Sequence, residues 1–276
     1  MKDRNAPESE NILPLDGRVR PNWGVVKWGV VIGLACLGTS AIAAIFARTN
    51  IDYPFTLFLN RYAGKSFLFD HFTVAVTTLY LPSGVILMAC IWLVWSDEPQ
   101  PDTHASIMAG VIGASFSGLT SRGLQLVLPT HPRPLHDSAL SFVAPHGVDS
   151  NLFNHWNSFP SDTASLLFGL ATIIAILRPA LGVAAVLWAV ICTVMRVFDG
   201  LHFLSDVTGG AGLAMAIVSL SQHPSFRRYC LAFTRLAKQR PGIFYSSAFV
   251  ISFEVATLFD DIRYLLHGVA ILARSP

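Results

Sequence analysis

The chain has 276 residues, of which 53% are hydrophobic and only 13% charged, about half the charged share of an ordinary soluble domain. Several apolar runs approach the roughly 20 residues that cross a bilayer, which excludes a water-soluble domain and predicts an all-α polytopic membrane protein. The net charge of +2 is too small to point to nucleic acid as a partner.

Residues 1–22 are polar and read as a disordered tail. They are not a cleavable signal peptide, because the apolar run behind them starts late and is too long. A first span is predicted at 24–47. Residues 50–70 mix aromatics with Asp52, Arg61, Lys65 and Asp70 and suit a segment lying on the membrane surface. A second span is expected at 72–95, followed by an acidic, proline-containing turn at 96–102. The third, at 105–127, carries Ser117, Thr120, Ser121 and Arg122 toward its end. The longest polar interruption, 128–160, holds five prolines and His131, His136, His146 and His155. Loops of that length without evident secondary structure are functional or disordered.

Three further spans are predicted at 161–177, 180–197 and 204–221. The last contains Gly209, Gly210 and Gly212, which permit close helix packing. Residues 222–241 are basic, and a final apolar segment at 242–259 reads as a seventh span or a helix docked at the interface; its Glu254 is costly in lipid and favours partial immersion or burial against the bundle. The domain reading is a tail at 1–22, a six-span domain at 23–221, and a membrane-associated extension at 222–276. Cys36, Cys90, Cys192 and Cys230 show no pairing or metal spacing.

Basic residues cluster before the first span and after the sixth. With six spans both clusters share one side, which the positive-inside rule makes cytoplasmic. The 128–160 loop and the stretch 196–206 then meet on the opposite face.

That stretch concentrates Arg196, His202 and Asp206. If His202 and Asp206 share a helix, their spacing stacks them on one face. A carboxylate there holds one ring nitrogen and leaves the other free to attack. Arg196 joins them only if the chain turns first, and Gly200 is a plausible place for the turn. The plainer reading is a satisfied helix-end cluster at a membrane surface. Two more groups fall on the same face: Arg133-Pro134, and Ser158 to Ala164 at a helix start. Arginine forks and free helix N–H groups suit an anion. With a histidine nucleophile they describe a phosphoryl-transfer site that requires no metal or other cofactor.

The set resembles the type 2 phosphatidic acid phosphatase superfamily, the membrane lipid phosphate phosphatases related to vanadium haloperoxidases. Its third motif, Ser-Arg-x5-His-x3-Asp, is matched by Met195-Arg196-x5-His202-x3-Asp206, with Met195 in place of serine. Its first, Lys-x6-Arg-Pro, is matched at Arg133-Pro134, with Leu126 at the lysine position. Its second, Pro-Ser-Gly-His, aligns with Pro160-Ser161-Asp162-Thr163. The resemblance implies His202 as nucleophile through a phosphohistidine, Asp206 as its partner, and Arg133, Arg196 and Ser161 on the phosphoryl oxygens. Arg122 could supply the cation that Leu126 does not. Thr163 stands where the family protonates the leaving group with histidine, and a threonine cannot do so near neutral pH. Three explanations follow: a diphosphate substrate such as a polyprenyl diphosphate, a substitute among the loop histidines, or a relative that only binds or moves a lipid phosphate. Asp162 and Asp199 read as capping or solvated carboxylates. The expected setting is a bacterial inner membrane, with the site facing the periplasm.

Overall fold

The computed structural model describes residues 23–262 and 265, apart from 130 and 155. The predicted tail at 1–22 therefore lies outside the described residues. The described residues form helices and connecting turns with no strand. The α-helices are α1 (Trp23–Phe46), α2 (Tyr53–Asn60), α3 (Phe67–Thr78), α4 (Ile86–Asp97), α5 (Pro101–Val127), α6 (Asp162–Leu177), α7 (Pro179–Phe198), α8 (Leu204–Ser221), α9 (Pro224–Gln239) and α10 (Pro241–Ala256).

By length and composition, Val26–Phe46, α7 and α8 can each cross a membrane. A fourth crossing arises if α3 and Leu81–Asp97 count as one bent span, since they meet at 67°. The span expected at 72–95 falls on this bent pair. The break falls at residues 79–80, just before Pro82, which withholds an N–H and favours a kink. At Gly84 the chain also passes so close to the Ala256 carbonyl that a Cβ would collide with it. α6 and α10 have 16 residues each, short of a full crossing when straight.

α5 is long enough, yet its polar side faces the bundle. Ser117 Oγ donates to the Ser165 carbonyl at 3.1 Å, and Ser121 Oγ and Gln125 Nε2 donate to the Pro160 carbonyl at 2.8 and 2.6 Å. These bonds satisfy α5's polar groups and fix where α6 begins. Apolar packing fills the centre, with Leu87, Ile91, Val94, Leu167, Leu170, Ile173 and Val218 all buried. α1 lies directly on α8: a Cβ on Gly33 would be 2.7 Å from the Gly212 carbonyl oxygen, and one on Gly212 would be 2.6 Å from Leu37 N. Only glycine allows that approach, as the small residues of α8 predicted.

The basic segment 222–241 contains a helix of its own, α9, which its composition alone does not mark. Arg227, Cys230 and Thr234 face the bundle, while Phe226, Tyr229 and Phe233 form one exposed stripe and Arg228 and Arg235 another. Ion pairs gather at this end of the bundle. Arg227 Nη2 lies 2.6 Å from Asp102 Oδ2, and Arg178 Nη2 lies 2.8 Å from Glu98 Oε1. The 48–70 segment, the 128–160 loop and the turn before α8 lie at the other end.

Candidate active site

The site is built where α7 gives way to α8. Gly200 turns the chain with φ +74°, a conformation other residues adopt at a cost, and a Cβ there would lie 2.6 Å from the Phe142 ring. The turn expected at Gly200 is therefore present. His202 and Asp206 do not share a helix, which corrects the stacked-pair reading. His202 lies in the turn, Phe203 caps α8, and Asp206 is the third helical residue. Asp206 Oδ2 accepts the Phe203 N–H at 2.7 Å and lies 3.6 Å from His202 Nδ1. Capping geometry, rather than helical spacing, brings carboxylate and imidazole together.

The 128–160 loop closes over this turn. Leu135 N donates to the Gly200 carbonyl at 3.0 Å. Arg133 Nη1 donates to the Leu201 carbonyl and lies 3.2 Å from His202 Nε2. A guanidinium only donates, so Nε2 is the bare nitrogen and the ring proton is on Nδ1, toward Asp206. His202, Asp206 and Arg133 are all buried, at 0%, 0% and 3% exposure. Burial, reinforced by Arg133, pushes the His202 imidazole down to about 4, despite the opposing pull of Asp206. Burial pushes Arg133 down to about 10, which leaves it charged at neutral pH, with Asp162 the leading charge that opposes the fall.

A pH effect follows. A lowered imidazole pKa keeps Nε2 unprotonated until the medium is strongly acidic. The acid limb of kcat/KM for the free protein should fall near pH 4 rather than near the ordinary histidine value of 6.5. Steady-state rates against pH check this; a limb at 6.5 assignable to His202 would show that the ring is solvated in the working protein.

The second motif is tied to the third through the backbone, as Ser161 N donates to the Asp206 carbonyl at 3.0 Å. Ser161 Oγ accepts the Ala164 N–H at 3.3 Å as the N-cap of α6, and its own proton remains available to donate. Thr163 is buried at 6% exposure beside it. Arg196 sits at the end of α7 and donates from Nη1 to the Thr77 carbonyl at 2.9 Å. Arg122 reaches toward the site: it stacks 3.8 Å from the Trp156 ring centre, and its charge acts on both Arg133 and Asp162. Leu126, at the lysine position, is 77% exposed.

Among the loop histidines, His136 bonds the Leu152 carbonyl at 2.8 Å and His146 bonds buried Asp70 at 2.6 Å, so both fasten the loop. His131 reaches the site from behind. Its Nδ1 is 2.7 Å from Ser158 Oγ and 3.5 Å from Asp206 Oδ1. His155 lies outside the described residues.

Three carboxylates gain roles that the sequence pattern does not signal. Asp199, expected to be solvated or capping, is 1% exposed and accepts from Thr73 and Thr77 at 2.8 and 2.6 Å, with burial pushing it up to about 6. Asp52 is fully buried and accepts both the N–H and the hydroxyl of Ser205, so the 50–70 segment buttresses the site rather than only covering the membrane surface. Asp162, read as a cap or a solvated charge, has His202, Arg133, Arg196 and Arg122 acting on it. Its place between Ser161 and Thr163 is the one signal available in the sequence.

Fold and site together define a helical membrane protein with a buried imidazole set among cationic donors. Residues 116–229 match the family model of the PAP2 superfamily, which supports membership of the type 2 phosphatidic acid phosphatase superfamily. The match spans Arg122, Arg133, Ser161, Thr163, Arg196, His202 and Asp206. Members of the superfamily are phosphatases, and the apolar helices agree with an integral membrane protein. Comparisons with curated proteins and with solved structures give no match.

Proposed function

We propose that this protein is a membrane phosphatase or phosphotransferase that acts on a lipid phosphate or a polyprenyl diphosphate through a phosphohistidine at His202. The observation that carries this reading is the state of the imidazole: Nε2 is bare and faces the Arg133 guanidinium, while Nδ1 faces Asp206. Arg133 now occupies the approach to Nε2. An incoming phosphoryl group would draw that guanidinium onto its own oxygens and uncover the nucleophile. Arg196, the Ser161 hydroxyl and Arg122 complete the donors. Asp206 stabilises the imidazolium that forms.

The same proposal takes α1, the bent α3–α4 pair, α5, α6, α7 and α8 as six crossings. The basic α9 end is then cytoplasmic, and the site opens on the periplasmic face of a bacterial inner membrane. Thr163 makes a diphosphate the favoured substrate. Cleavage of a diphosphate expels a phosphate monoester, far less basic than an alkoxide, so the missing acid costs little. Thr163 also supports one second reading, a relative that binds or moves lipid phosphates without hydrolysis.

The test is phosphate release by the purified protein in detergent. A polyprenyl diphosphate should turn over faster than the lipid monophosphate by roughly 10²–10⁴, the usual contribution of a general acid. Thr163→His should raise monophosphate hydrolysis specifically. Tight binding of both lipids with turnover of neither would instead support the binding protein.

A further inference from the structure

Resting on the phosphatase reading, we infer that Asp162 is the catalytic base that activates water to hydrolyse the phosphohistidine. Thr163 cannot exchange a proton near neutral pH, so this step needs another acid–base group at the start of α6. Asp162 is the carboxylate that the structure places there. It is the first residue of α6, and Oδ1 accepts the Thr163 N–H at 2.9 Å, which fixes the side chain. It remains partly exposed while Ser161 and Thr163 on either side are buried. The charges acting on it are Arg133, Arg196 and Arg122, the three guanidinium groups assigned to the phosphoryl oxygens, and the nucleophile His202 joins them when its ring becomes a cation. Asp162 is in turn the leading opposite charge on Arg133. Asp206 and Asp52 are held by backbone and hydroxyl donors on the α8 side and are not free to take this part.

An aspartate is ionised at neutral pH, so it enters as proton acceptor and not as donor. In the first step the Nε2 lone pair forms the N–P bond. The P–O bond to the leaving phosphate monoester breaks, and that oxygen leaves with the bonding pair. No proton is required. In the second step the oxygen of a water molecule forms a P–O bond and the N–P pair returns to Nε2. One water proton passes to Asp162, which releases it to the departing phosphate or to solvent. A site with a base but no acid fits a substrate whose leaving group needs no proton and whose intermediate must still be hydrolysed.

The experiment uses full-length protein in detergent, a polyprenyl diphosphate labelled at its terminal phosphate, and Asp162→Asn. The asparagine oxygen keeps the Thr163 contact. Formation of the labelled protein should persist, while its breakdown slows by about 10²–10⁴, so that label accumulates on His202 during turnover. Asp162→Glu should restore breakdown in part. If Asp162 only balances the arginines, Asp162→Asn would change KM and label formation without accumulation, and that result overturns the inference. If wild type and variant both release phosphate with no label at any time, the phosphohistidine reading itself fails. Label that appears and breaks down at the wild-type rate in the variant overturns only the role of Asp162. Label formation doubles as the check that the variant is folded.

Discussion

His202→Ala should abolish turnover, with a fall of roughly 10⁴-fold or more, as expected when a covalent nucleophile is removed. The alternative for this residue is a structural histidine, and the two roles separate cleanly. The imidazole is fully buried, yet Nε2 faces an arginine rather than a fold-defining donor of the backbone. A structural histidine removed from such a place would lower stability and spare the residual rate per folded molecule. The expected result is a folded, lipid-binding protein without activity. Rates per folded molecule, with thermal unfolding measured in the same detergent, check it. An activity equal to that of the unsubstituted protein would exclude the phosphohistidine.

Asp206→Asn is the second large effect. The asparagine oxygen can still accept the Phe203 N–H, so the start of α8 should persist. What disappears is the negative charge beside Nδ1. That charge matters most when the ring becomes a phosphoimidazolium, because it then stabilises a buried cation. The expected loss in kcat is on the order of 10²–10⁴, by analogy with orienting carboxylates in other histidine-based sites. Asp206→Ala should show a further defect, about 1–2 kcal/mol of stability, because the cap is lost as well. Equal rates for Asp206→Asn and wild type would reduce Asp206 to a helix cap, the alternative its position also allows.

Much of this site is legible in the residues alone. Long apolar runs reveal α1, α7 and α8, because spanning lipid demands length and hydrophobicity together. The placement of basic residues brings Arg133 and His202 to one face, and their contact at 3.2 Å fits that placement. The break between α3 and α4 is harder to see, since one proline in an apolar run can either kink a helix or be absorbed by it. α9 escapes because its apolar residues are spread among charges, and its exposed Phe226, Tyr229 and Phe233 form a stripe only once the helix is drawn. The roles of Asp52, Asp162 and Asp199 depend on partners distant in sequence. Asp52 meets Ser205 and Asp199 meets Thr73 and Thr77, and no local pattern encodes those pairings. The 50–70 segment looks interfacial because its aromatics outnumber its charges, yet one of those charges anchors the helix that carries Asp206.

The central claim is that phosphate passes through His202. Rapid-quench single turnover with a terminally labelled polyprenyl diphosphate tests it directly. The account predicts a protein-bound phosphate that is acid-labile and alkali-stable, forms before free phosphate appears, maps to the peptide containing His202 and is missing in His202→Ala. Free phosphate appearing without any protein-bound species, at a rate that His202→Ala leaves unchanged, would contradict it.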